Sequence, residues 1–126
     1  DPRYRWFGAR PHALARGVIR RAHLLIHPSR MEGGANVIVE AILSGTPVLA
    51  SRMSGNVGML GDRYPGYFDV GDAPGLARAL ARLCAAPSAL RGLQVACQER
   101  RDLFTPAAER AAVRALVVTP VRKARR

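Results

Sequence analysis

The sequence predicts an α/β fold, a Rossmann-like parallel sheet with helices on both faces. Short apolar runs at 23–27, 47–50 and 66–70 alternate with longer helical segments. Those runs are continuous rather than polar-apolar alternating, as strands buried on both faces are. Glycine and proline stand at most of the joints between them, where chain reversals and helix ends need fixed or permissive backbones.

In chain order, Tyr4-Arg-Trp-Phe alternates like a strand and stops at Gly8. Pro11 opens a helix to about Ala22, since its missing N–H costs nothing at a first helical position. His23 to His27 is a strand, Pro28 to Gly34 a loop, and Ala35 to Ser44 a helix that Gly45 ends in the left-handed conformation. Pro47 to Ala50 is a strand, Ser51 to Gly55 a loop, Asn56 to Gly61 a short turn or helix, and Gly66 to Val70 a strand. Asp72 caps a helix over Ala73 to Ala85. Pro87 opens another to about Phe104. Thr105-Pro106 starts a last one to about Val118, which Pro120 ends. The reading is one domain over 1–118 followed by a basic, disordered tail over 119–126. Because the chain begins at Asp1 without Met, it reads as a fragment or a processed chain.

Composition narrows the function classes. The 48% hydrophobic content is enough for a packed core. No run approaches the roughly 18 apolar residues of a membrane span. Cys84 and Cys97 have neither metal-ligand nor disulfide spacing, which fits a reducing cytoplasm. The net charge of +11 comes from nineteen arginines and one lysine. They are dispersed along helix faces apart from the terminal Arg122-Lys-Ala-Arg-Arg, and no aromatic residues interleave with them. A base-stacking nucleic-acid surface is not expected.

The most informative stretch is Glu32-Gly-Gly-Ala-Asn-Val-Ile-Val-Glu40, between one buried strand and the next. Strand, glycine turn, helix start is the layout that holds phosphates, because the first helix amides are unpaired and the dipole adds positive potential. Ligands in such sheets sit outside the carboxyl ends of the strands. The loops at 8–10, 29–36 and 51–56 should line that common edge. Glu32 and Glu40 are eight residues apart, just over two helical turns, so they cannot meet as a paired acid and base. Each can instead accept from vicinal hydroxyls at opposite ends of an extended ligand. A hexose at one end, a ribose at the other and a diphosphate at the helix start describe a nucleotide diphosphate sugar.

At these residues the chain resembles the carboxyl-terminal half of GT-B glycosyltransferases, in particular the retaining family 4. Pro28-Ser29, Glu32, Glu40-Ala41, Gly45-Thr46-Pro47-Val48 and Gly71-Asp72 carry the resemblance, which covers roughly 4–85. It implies that Glu32 contacts the reacting donor sugar, as the one catalytic assignment, and that Glu40 binds the ribose hydroxyls. It further implies that Gly33 lets the chain approach the ligand and that backbone at Gly34, Ala35, Asn36 and Val37 holds sugar and phosphate. Ala9 and Arg10 would meet the base. Arg30 and Arg52 follow strands and are candidates for phosphate. No enzymatic nucleophile, cofactor or metal is implied. The partners are the nucleotide-sugar donor and an amino-terminal domain carrying the acceptor site.

A narrower likeness is to the selenosugar synthases of selenoneine biosynthesis, which join selenophosphate to a UDP-N-acetylhexosamine. It rests on His27-Pro-Ser-Arg-Met-Glu-Gly-Gly-Ala-Asn-Val-Ile, Gly55-Asn-Val-Gly-Met-Leu-Gly and Tyr64-Pro-Gly-Tyr. Where the wider family has Gly-Gly-x-Pro-Glu, this chain has Gly55-Asn-Val-Gly-Met59, so any role of that glutamate is absent.

Plainer readings stand beside these. Glu40 among Val37, Ile38, Val39, Ala41 and Ile42 could be a solvated helix residue, but a lone carboxylate there needs a partner or an edge position. His12, His23 and His27 read as structural or exposed, and both cysteines as packing residues. The alternative functions are a non-catalytic basic module for a polyanion or nucleic acid, and a nucleotide-sugar epimerase of the same fold. Two carboxylates at the cleft would repel a polyanion and suit sugar hydroxyls.

Overall fold

Among the described residues three parallel strands in the order β1-β2-β3 form the sheet: β1 (Leu25–His27), β2 (Val48–Ser51) and β3 (Tyr67–Phe68). The computed structural model describes residues 1–31 and 33–123. Leu25, Ile26 and His27 pair with Val48, Leu49 and Ala50, and Ala50 and Ser51 pair with Tyr67 and Phe68. All four β2 residues are buried. A strand with both side-chain directions buried has cover on both faces, as the unbroken apolar run 47–50 predicts. The architecture is a Rossmann-like parallel sheet flanked by helices.

Among the described residues the six α-helices are α1 (His12–Arg21), α2 (Asn36–Ser44), α3 (Ser54–Leu60), α4 (Ala73–Ala85), α5 (Pro87–Gln98) and α6 (Pro106–Lys123). α2 is the central one. Ile38, Ala41 and Ile42 are fully buried at i, i+3 and i+4, and each isoleucine side chain contributes about 1.5–3 kcal/mol of transfer free energy. Gly45 ends the helix with φ 77°, and the amides of Gly45 and Thr46 reach back to Ile42 and Ala41. α4 packs Leu76, Ala79, Leu80 and Leu83 toward the core, and α5 packs Ala89, Leu93, Ala96 and Cys97. The capping residues read from sequence act as such. Asp72 accepts from the Gly75 amide at 2.8 Å, and Thr105 Oγ1 accepts from the Ala108 amide at 3.1 Å.

Tyr64 makes a long-range joint that sequence pattern does not reveal. Its hydroxyl donates to the Val48 carbonyl at 2.5 Å and accepts from the Val48 amide at 3.2 Å, with Cys97 Sγ at 3.3 Å. Burial, and then the neighbouring thiol, hold the phenol far above its ordinary pKa. Burial likewise pushes the Cys97 thiol up, so it is a packing group.

Three expectations fail. Tyr4 to Phe7 is not a strand; it runs as exposed coil, with Tyr4 and Trp6 mostly in solvent. Alternation makes a strand only where a neighbouring strand accepts its hydrogen bonds, and none does among the described residues. The helix opened by Pro87 stops at Gln98, and a 3₁₀ turn over Arg101–Phe104 follows. The break turns Arg100 toward α3. Finally, α6 runs to Lys123, so the boundary drawn at 118 falls inside a helix; 124–126 lie outside the described residues. A proline removes one intrahelical hydrogen bond, but its φ is helical, so the helix runs through it at the cost of that bond.

Candidate functional site

The carboxyl ends of β1 and β2 are tied into one edge by a buried polar knot. Ser51, the last residue of β2, donates through Oγ to the Ser29 carbonyl at 2.5 Å. Asn56, fully buried in α3, donates through Nδ2 to the Ser51 carbonyl at 2.8 Å. Its Oδ1 is buried without a hydrogen-bond partner among the described residues. The loops after the two strands are thus fixed to each other by side chains that satisfy backbone carbonyls.

α3 is held at its far end as well. The Arg100 guanidinium donates to the carbonyls of Met59 at 3.0 Å and Gly58 at 3.1 Å, and the Tyr67 hydroxyl donates to Gly61 at 2.9 Å. A cation on the last carbonyls of a helix satisfies groups with no intrahelical partner and complements the dipole. Burial pushes the Tyr67 hydroxyl up to about 12, against the opposing pull of Arg52 and Arg100. So held, α3 aims Met59 at the glycine pair before α2. A Cβ added at Gly34 would stand 2.6 Å from Met59 Cε. An apolar thioether from α3 therefore covers this glycine.

α2 starts at Asn36 behind Ala35, which has no side-chain atom to cap the first amides. Asn36 is exposed and Val37 half-buried, so the amide end of the helix is open to a ligand. Four residues on, about 6 Å along the axis, is Glu40. Its side chain is 20% exposed, and its Oε1 lies 2.5 Å from Nε2 of His12, the first residue of α1. This contact keeps the preceding segment, Ala9 to Pro11, near the middle of α2, because three residues reach only about 10 Å.

Gly34, Ala35, Asn36, Val37 and Glu40 therefore lie together on the start and flank of α2, with Ala9 and Arg10 exposed at the α1 end. Gly33 and Arg30 are exposed in the loop after β1. Glu32 lies outside the described residues. Arg52 is committed elsewhere: it pairs with Asp62 at 2.6 Å and its guanidinium stacks 5.2 Å from the Tyr67 ring centre. Sequence reasoning missed His12 and Asn56. The need of Glu40 for a partner was legible, but its donor comes from 28 residues away. For Asn56, the signal was its place in Gly55-Asn-Val-Gly-Met59, the stretch that departs from the pattern of the family the chain resembles.

No curated protein matches the chain at a significant level. No helix among the described residues is long and apolar enough to cross a membrane. The family model described as Glycosyl transferases group 1 matches residues 1–86, which take in the sheet, the open start of α2 and the Glu40 flank. By this match over more than half its length, the chain belongs to the group 1 glycosyltransferases.

Proposed function

We propose that this chain is the donor-binding half of a two-domain family 4 glycosyltransferase and that it holds a nucleotide diphosphate sugar along α2. The observation that carries the reading is the single line of groups on that helix. Uncapped amides stand at its start, and a carboxylate with remaining acceptor capacity stands about 6 Å further on. In this reading the backbone of Gly34, Ala35, Asn36 and Val37 takes the sugar and diphosphate, aided by Arg30, and Gly33 permits the approach. Glu40 accepts from the ribose diol. Ala9 and Arg10 face the base, and Glu32 contacts the donor sugar. The family match supports a nucleotide-sugar donor in general.

The run His27 to Ile38 and the loop Gly55 to Gly61 favour UDP-N-acetylhexosamine as donor and selenophosphate as acceptor. The anomeric carbon–oxygen bond breaks, UDP leaves with the electron pair, and a selenium–carbon bond forms. The chain's part is positioning the donor and stabilising the departing diphosphate with preorganised amides and arginine. The acceptor would reach the anomeric carbon from an amino-terminal domain closing over this edge.

Calorimetry with UDP on the parent and on Glu40→Ala tests the reading. Loss of a charged hydrogen-bond acceptor is expected to weaken binding by about 1.5–3 kcal/mol, with the melting temperature little changed. Equal affinities would remove the ribose assignment.

A further inference from the structure

We infer that His12 is a positioning residue for nucleotide binding: its imidazole pins the Glu40 carboxylate in the orientation that receives the ribose diol. This rests on the ribose assignment of Glu40. The contact spans the α1–α2 joint, Nε2 to Oε1 at 2.5 Å. Glutamate has three side-chain torsions, and on a helix flank an untethered carboxylate samples several of them. Hydrogen-bonded to His12, it is already ordered when the nucleotide arrives, so the ordering cost does not fall on binding.

The stoichiometry of lone pairs leaves room for the ligand. A carboxylate offers about four acceptor sites. His12 occupies one on Oε1, which leaves Oε2 and a second site on Oε1 for two vicinal hydroxyls. His12 is itself held by the backbone of the first turn of α1, behind Pro11, whose carbonyl accepts from Leu14 at 2.9 Å and Ala15 at 3.1 Å. A short side chain on a fixed helix start is a better anchor than a long flexible cation.

The pair is not needed to dock the two helices. At its other end α1 is tied by Thr46 Oγ1 donating to the Ile19 carbonyl at 2.8 Å, and Ile19 packs on the core. The His12 side chain is 72% exposed, and polar contacts so open to water add little to stability. What the contact does fix is where the Glu40 oxygens point.

The test is calorimetric titration with UDP and 2′-deoxy-UDP on the parent, His12→Ala and His12→Gln, with melting curves for each. The parent should prefer UDP. His12→Ala should weaken UDP roughly three- to tenfold, shrink the preference over 2′-deoxy-UDP, and melt with the parent. His12→Gln keeps an N–H donor at similar reach and should restore the preference. An alanine variant that keeps the parent's preference, or loses affinity for both nucleotides by the same factor, overturns the inference and leaves the ribose assignment standing. A parent that does not discriminate the two nucleotides overturns the ribose assignment itself, and the inference with it.

Discussion

Gly34→Ala probes the glycine backbone just before α2, where the proposed donor site begins. Gly34 has φ 156°, a region side-chain-bearing residues seldom occupy. Holding an alanine there costs about 1–3 kcal/mol. The smaller freedom of the unfolded alanine chain returns about 0.4–1 kcal/mol. The new methyl would also meet Met59 Cε at 2.6 Å, but that atom ends a side chain with three rotatable bonds and can swing aside. Backbone strain therefore outweighs the clash, and the net loss should be about 1–2 kcal/mol. For a chain of this length that lowers the melting temperature by roughly 3–10 °C. Differential scanning calorimetry on Gly34→Ala, Met59→Ala and the double variant separates strain from clash. Strain predicts that removing the methionine does not rescue the alanine. A double variant that melts no lower than Met59→Ala alone would assign the whole cost to the contact. A Gly34→Ala protein melting within about 1 °C of the parent would refute the need for glycine altogether.

Two further outcomes concern the fold. In the unfolded chain the Cys97 thiol and the hydroxyls of Tyr64 and Tyr67 lose protons at about pH 8.5 to 10, while burial keeps them protonated in the folded state to higher pH. The folded state then binds more protons, so stability is full below about pH 8.5 and falls as pH rises above it; melting curves from pH 7 to 11 should show this decline. Tyr64→Phe should flatten it while lowering stability at pH 7, and a melting temperature flat to pH 11 in the parent would contradict the burial argument. In native-state hydrogen exchange, α6 amides from Ala107 to Val117 should exchange far faster than those of α2. All but Ala108 among these residues are exposed, including Val113, Leu116 and Val117, whereas α2 buries Ile38, Ala41 and Ile42. Equal protection would mean that α6 docks on this domain.

What the sequence by itself determined was local chemistry and burial. The unbroken apolar run 47–50 overlaps β2 (Val48–Ser51), buried on both faces, and the apolar spacing after Ala35 with Gly45 behind it gives α2 and its end. Asp72 and Thr105 cap the helices that follow them, because a cap needs only its own side chain and the next turn. A helix start after the glycine pair was legible for the same reason, though the sequence places it at Ala35 and α2 begins one residue later. Tertiary structure decided every feature that depends on a distant partner. Tyr4 to Phe7 alternates correctly yet has no neighbouring strand, and a strand is a pairing rather than a property of one segment. His12 meets Glu40 across two helices, Tyr64 bridges Val48 and Cys97, and Ser51, Ser29 and Asn56 close one knot from three segments. Periodicity tells which face of an element is buried. Which polar group a buried face meets depends on how the elements pack, and that is settled only when the whole core closes.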